Sequence, residues 1–143
     1  INSFDKDYVS LDDAITVASE YMDVMKIRFP DIQLVIEPFS FSSNEMIVSM
    51  SLHNLIENAI KHNPADCQHP LLITISRNGD SLVVSNNIIM DGRNNLTKGE
   101  STRMGIANLH ERHRLLGIDD ISVSIADGLY TVTLPIVTQQ TNS

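Results

Sequence analysis

Apolar positions recur at helical spacing in three stretches, five shorter apolar-rich runs read as strands, and that pattern sets the expected elements. Ser10 with Asp13 three positions later is a helix N-cap signal, and Ile15, Ala18, Met22, Met25 and Phe29 follow at helical spacing before Pro30 closes the run. Ile32 to Ile36 alternates apolar and polar residues and reads as a strand, followed by a polar turn at Ser40–Glu45. A second helix is expected from about Ser49 to His62, stopped by Asn63-Pro64. Leu71–Ser76 and Leu82–Ser85 read as a hairpin across Asn78-Gly79-Asp80. Residues 87–104 lack periodicity and hold Gly92, Asn94, Asn95, Lys98 and Gly99. A loop of that length in a small domain is usually functional or mobile. A third helix is expected from Ile106 to Leu116, then a hairpin of Ile121–Ile125 and Tyr130–Leu134 around Asp127-Gly128. These elements predict one α+β domain, an antiparallel-rich sheet with helices on one face.

Composition adds limits rather than a function. The 143 residues suffice for one domain with a real core, and 42% hydrophobic with 20% charged residues is ordinary globular usage. Ten Lys and Arg against 18 Asp and Glu give a net charge of −8, which argues against a nucleic-acid groove. A nucleotide stays compatible, because Mg²⁺ and a few local cations can neutralise a triphosphate. The single Cys67 excludes an internal disulfide. No stretch approaches the roughly 20 apolar residues of a membrane helix. The chain opens on Ile1 rather than Met, the expectation being an excised piece of a longer protein.

Three groups of residues carry candidate chemistry. In Leu52-His53-Asn54-Leu55-Ile56-Glu57-Asn58-Ala59-Ile60-Lys61-His62, the residues Asn54, Asn58 and Lys61 fall on one helical stripe with His62 at its edge. Leu52, Leu55, Ile56 and Ala59 lie opposite and can be buried. Asn is a poor helix former, so two at i, i+4 cost stability that Glu or Lys would not. An amide oxygen suits Mg²⁺, and Lys61 could meet a phosphate as a point charge. A solvated polar face explains the same spacing equally well. The second group is Met104-Gly105-Ile106-Ala107-Asn108, where a glycine opens a helix whose N-terminus favours an anion. The third is Val83-Val84-Ser85-Asn86-Asn87, a strand ending in two amides that an ordinary turn would also explain.

Taken together and in this order, the three groups resemble the N, G1 and G2 boxes of the GHKL ATPases, and within them histidine kinases of the autolysin-sensor (LytS-like) type. Glu57-Asn58-Ala59-Ile60-Lys61-His62 and Gly105-Ile106-Ala107-Asn108-Leu109-His110-Glu111-Arg112 are similar to that type, and the likeness runs from about Val9 to Val137. The resemblance implies a Bergerat two-layer α/β sandwich with a mixed, mostly antiparallel sheet and a mobile ATP lid over residues 88–104. It implies that Asn58 binds Mg²⁺, that Asn54 and Lys61 meet the phosphates, and that His62 borders the nucleotide. It further implies that Asn86 faces the adenine, that Gly105, Ile106 and Asn108 lie at the triphosphate, and that Glu57 orients the nucleophile. Two departures stand out: Asn86-Asn87-Ile88 replaces the usual Asp and Gly of the G1 box, and Arg103 replaces a G2 glycine. Arg103 is therefore a candidate for reaching the γ-phosphate. An amide at position 86 offers both a donor and an acceptor and can flip, so weaker discrimination between adenine and guanine is expected than with a carboxylate.

The implied domains are a linker and N-terminal helix over 1–30, the ATP-binding domain over 31–137, and a disordered tail over 138–143. The expected function is to bind ATP·Mg²⁺ and pass the γ-phosphoryl group to a histidine outside this chain, on the phosphoacceptor domain of the same dimeric parent kinase. A response regulator is then the indirect partner, and the setting is the cytoplasmic side of a membrane-anchored bacterial sensor. The alternative that the departures support is a degenerate module that has lost nucleotide binding and serves as an interaction domain. A more remote one is a serine-directed GHKL kinase of the anti-sigma kind. His110-Glu111-Arg112 is read as helix surface rather than a phosphoacceptor, and His62, Cys67 and His69 as loop residues rather than a zinc site.

Overall fold

The computed structural model describes residues 7–89, 107–118 and 121–139. Strand β1 (Tyr8–Ser10) leads directly into helix α1 (Leu11–Arg28). The Ser10 hydroxyl accepts from the Asp13 amide at 3.1 Å, as its sequence signal requires. Acidic residues fill the first turn of α1 and basic ones the last, which suits the helix dipole. β2 (Ile32–Ile36) and β3 (Glu45–Val48) precede helix α2 (Ser51–His62). The hairpin of β4 (Leu71–Asn78) and β5 (Ser81–Asn87) follows, then helix α3 over residues 107–115. β6 (Ser122–Ala126), β7 (Leu129–Pro135) and β8 (Val137–Thr138) close the described chain.

Five strands form one mixed sheet in the order β2-β4-β5-β7-β6. Among the described strands only the β2–β4 pair is parallel, with β3 and α2 lying between its two strands in the chain. β4–β5 and β6–β7 are hairpins, and β5–β7 is an antiparallel pair separated in sequence by α3 and β6. Asp127 (φ 55°) and Gly128 (φ 75°) form the two-residue turn between β6 and β7, the positive-φ pair that matches strand twist. Along β5 every second residue is buried, so Leu82, Val84 and Asn86 share the inward face. Leu82 and Val84 belong to one buried core with Leu11, Ala18 and Met22 of α1, Leu52, Leu55, Ile56 and Ala59 of α2, and Leu109 of α3. The helices thus cover one face, and the expected α+β architecture is present.

Three features differ from the sequence expectation. A second, three-stranded sheet, β1-β3-β8, lies outside the expected elements: β1 ends in the helix-capping Ser10, β3 follows from the turn at Ser40–Glu45, and β8 runs into the expected tail. Thr138 pairs with Glu45 and the Gln139 amide donates to the Asn44 carbonyl at 2.8 Å, so these two residues are tied down rather than part of a loose tail. Helix α1, expected to precede the domain, belongs to its core, with Leu11 and Ala18 essentially fully buried.

The passage from β3 into α2 is tight. Met50 caps the helix in the left-handed region (φ 69°), a conformation that costs a non-glycine residue on the order of 1 kcal/mol. The Asn54 amide donates back to the Met50 carbonyl at 2.9 Å, and the fully buried Ser51 hydroxyl donates to the Val48 carbonyl. Arg77 braces the same region from β4, as its guanidinium meets both oxygens of Glu45 and the carbonyls of Ser40 and Gly79. No helix among the described residues is long and apolar enough to cross a membrane.

Candidate functional site

Amphipathicity sets the site. On α2, Leu52, Leu55, Ile56 and Ala59 are buried as their spacing predicts, which turns Asn54, Asn58 and Lys61 outward. Asn58 is half-buried, whereas Asn54 and Lys61 are exposed. On α3 the buried face is Leu109 and His113, which sets Asn108 and Arg112 (also i, i+4) on the adjoining stripe. The two stripes face each other across a concavity of about 270 Å³, lined by Asn54, Leu55, Asn58, Asn108, Leu109 and Arg112. Three amides, one guanidinium and no carboxylate line it, although the whole chain carries a net charge of −8. Such a lining offers donors and positive charge to an anion, and amide oxygens to a hard cation that accompanies it. The volume is just below the usual small-molecule range of about 300–1,000 Å³.

Of the sequence-predicted residues, Asn54, Asn58 and Asn108 come together here. Lys61 and His62 lie on the last turn of α2, outside the lining. Glu57 is also outside it, with its carboxylate 3.3 Å from Nε2 of His53, whose ring stacks edge-on against Tyr21 of α1. Burial and then the Glu57 charge push the Tyr21 phenol upward, which places Glu57 on the α1 side of the helix. Arg103, Gly105 and Ile106, and all of the expected lid beyond Ile89, lie outside the described residues.

Asn86 occupies the inward face at the end of β5 and is 7% exposed. Its Nδ2 donates to the Asn87 carbonyl at 2.8 Å. A flipped amide would set oxygen against oxygen there, so this hydrogen bond favours one orientation of the amide. Asn87 is committed too, since Nδ2 donates to the Pro70 carbonyl at 2.9 Å and Oδ1 accepts from the Leu72 amide at 2.7 Å. Opposite Asn86 in register stands Tyr130, whose phenol burial pushes up to about 12. Asn63 fastens α2 to the segment after β5: Nδ2 donates to the Ala59 carbonyl and Oδ1 accepts from the Ile89 amide, both at 2.9 Å.

Arg112 is the residue that sequence reasoning missed. His110 and Glu111 are exposed, as expected of helix surface, but Arg112 lines the concavity. Its four-residue spacing from Asn108 was the available signal. His113 is buried with Nδ1 against the Leu109 carbonyl at 2.9 Å and no partner for Nε2 among the described residues, and burial lowers its pKa. In the loop after α2, His69 and Asp66 pair with each other while Cys67 is exposed. Among the described residues, no three His, Cys, Asp or Glu side chains gather into a metal-holding cluster.

No family model matches the sequence, and no curated protein sequence matches it. Solved structures do. The catalytic domain of histidine kinase ThkA, in a nucleotide-free form, superposes with a TM-score of 0.55 at 16% identity, over 90% of this chain and 93% of that one. A second nucleotide-free form of ThkA gives 0.53 at 14% identity, over 92% and 97%. The cytoplasmic segment of histidine kinase QseC gives 0.51 at 15% identity, over 92% and 78%. The fold is that of histidine kinase catalytic domains, a mixed α+β fold with no closed barrel.

Proposed function

We propose that this chain is the ATP-binding catalytic domain of a two-component histidine kinase of the GHKL group, LytS-like in type. In this reading it binds ATP·Mg²⁺ and presents the γ-phosphoryl group to a histidine on another part of the same kinase. The observation that carries the proposal is the carboxylate-free concavity between α2 and α3, where Asn54, Asn58 and Asn108 converge in a fold shared with histidine kinase catalytic domains. Asn58, half-buried at the centre of the lining, is assigned the metal, and Asn54 and Asn108 the phosphate oxygens. Bound there, Mg²⁺ would supply neutralisation of the phosphate charge. The protein's part is positioning: two helices with buried apolar faces hold the amides in place. The inward Asn86 amide, with its Nδ2 occupied, leaves Oδ1 as an acceptor suited to an amino group, as the adenine ring carries. A signalling setting on the cytoplasmic side of a membrane, with a response regulator downstream, follows from the same reading.

Calorimetric titration of ADP and a non-hydrolysable ATP analogue, with and without Mg²⁺, tests it. Parent protein should bind in a Mg²⁺-dependent way. Asn58→Ala should lose most of that dependence, about tenfold or more in affinity, without loss of fold. Absence of binding by the parent at millimolar nucleotide would favour a degenerate interaction module instead.

A further inference from the structure

We infer that Arg112 is the phosphate-binding cation of the concavity and that it makes the site favour a nucleoside triphosphate over a diphosphate. The inference rests on the proposed nucleotide site and extends it to a residue outside the sequence-level assignment. Among the other described arginines of the sheet and α3, Arg77 is committed to Glu45 and Arg114 to Glu111. Arg112 makes no ion pair or hydrogen bond within the described residues, yet it lines a concavity whose other polar members are the amides of Asn54, Asn58 and Asn108. It is only partly exposed and forms part of the wall of the concavity. No carboxylate in the lining competes for it. A guanidinium beside neutral amides, in a chain this acidic, is arranged for an anion that brings several oxygens. The axial rise from Asn108 to Arg112 is about 6 Å, one helical turn. An anion that touches both must span that distance, which a triphosphate does more readily than a diphosphate.

The test compares parent, Arg112→Gln and Arg112→Lys with three probes in Mg²⁺: ADP, the β,γ-imido analogue of ATP, and inorganic tripolyphosphate. Loss of a charged phosphate contact is expected to weaken the ATP analogue and tripolyphosphate by about 10–100-fold in Arg112→Gln. ADP should fall much less, and Arg112→Lys should recover part of the loss. Thermal midpoints near that of the parent establish that the fold is intact. Unchanged affinity for the ATP analogue in Arg112→Gln overturns the inference while leaving the nucleotide site standing. Equal losses for ADP and the ATP analogue overturn the triphosphate preference. If the parent binds neither nucleotide but binds tripolyphosphate in an Arg112-dependent way, the nucleotide reading fails and Arg112 keeps its role.

Discussion

Glu45→Gln should cost the domain about 2 kcal/mol at neutral pH and remove much of its acid sensitivity between pH 5 and 2. Glu45 accepts from both Arg77 nitrogens and from the Ser42 amide at 2.8 Å, and both side chains of the pair are about 15% exposed. The Arg77 hydrogen bonds, then the Ser42 amide, hold the Glu45 carboxyl at about 2, against an ordinary 4.5. At about 1.4 kcal/mol per pKa unit that difference corresponds to about 3.5 kcal/mol, and the residual solvent contact of the pair reduces it to about 2. The folded-state pKa is depressed, so the contribution is fully present above pH 4.5 and is lost as pH falls from 4.5 toward 2. The neutral amide of the variant would keep one oxygen for Arg77 but not the charge. Urea unfolding at a series of pH values measures the effect, and at this size about 2 kcal/mol also shifts the thermal midpoint by roughly 4–8 °C. If parent and variant lose stability in parallel between pH 5 and 2, the pair does not stabilise the fold in the way its geometry indicates. The pair braces the turn that feeds α2, so a loosened variant should also bind nucleotide less tightly.

His113→Leu should leave stability at pH 7 unchanged or raised, because it removes a buried Nε2 that has no partner among the described residues. Burial lowers the His113 pKa below 6.5, with the Arg112 and His110 charges adding to the effect, so the parent should lose stability as pH falls below about 6.5. The variant should lose less over the same range in denaturant titrations, and identical slopes would refute the assignment. Asn86→Asp should destabilise the domain at pH 7 by about 1–3 kcal/mol, since a carboxylate oxygen would then face the Asn87 carbonyl. The deficit should shrink as pH falls and the carboxyl regains a proton to donate, and thermal melts at pH 7 and pH 4 read this. The fixed amide also predicts that Asn86→Asp changes the ADP-to-GDP affinity ratio little, which paired titrations check.

Local pattern made much of this legible. β2 was bounded correctly because Ile32 to Ile36 alternates, and α1 because Ser10 and Pro30 mark its limits. The buried side of α2 followed from spacing alone. The second sheet was not legible because each of its strands has only two to four residues, and β3 pairs with partners about forty and ninety positions away in sequence. No local period signals such pairing. For the site, residue type showed which amides were available, but not that α3 would face α2. Asn108 and Asn58 could be nominated, whereas Arg112 looked like one more charged helix residue until its neighbour across the groove was known. For Asn86, residue type showed an amide at the strand end but not the Asn87 carbonyl that its Nδ2 meets, a backbone group with no sequence signature.

The small β1-β3-β8 sheet gives the domain a particular response to tension. β1 and β8 flank β3 and both run antiparallel to it, so they run parallel to each other. Ser10 and Val137 sit across Met46 from one another, about 10 Å apart at ordinary strand spacing. A pull between the two flanking strands acts in opposite directions along the same axis. It loads the ladders in shear, so their hydrogen bonds share the force instead of parting one by one. The shared strand runs through Met50 into α2, so strain entering from either side converges on the helix that carries Asn54 and Asn58.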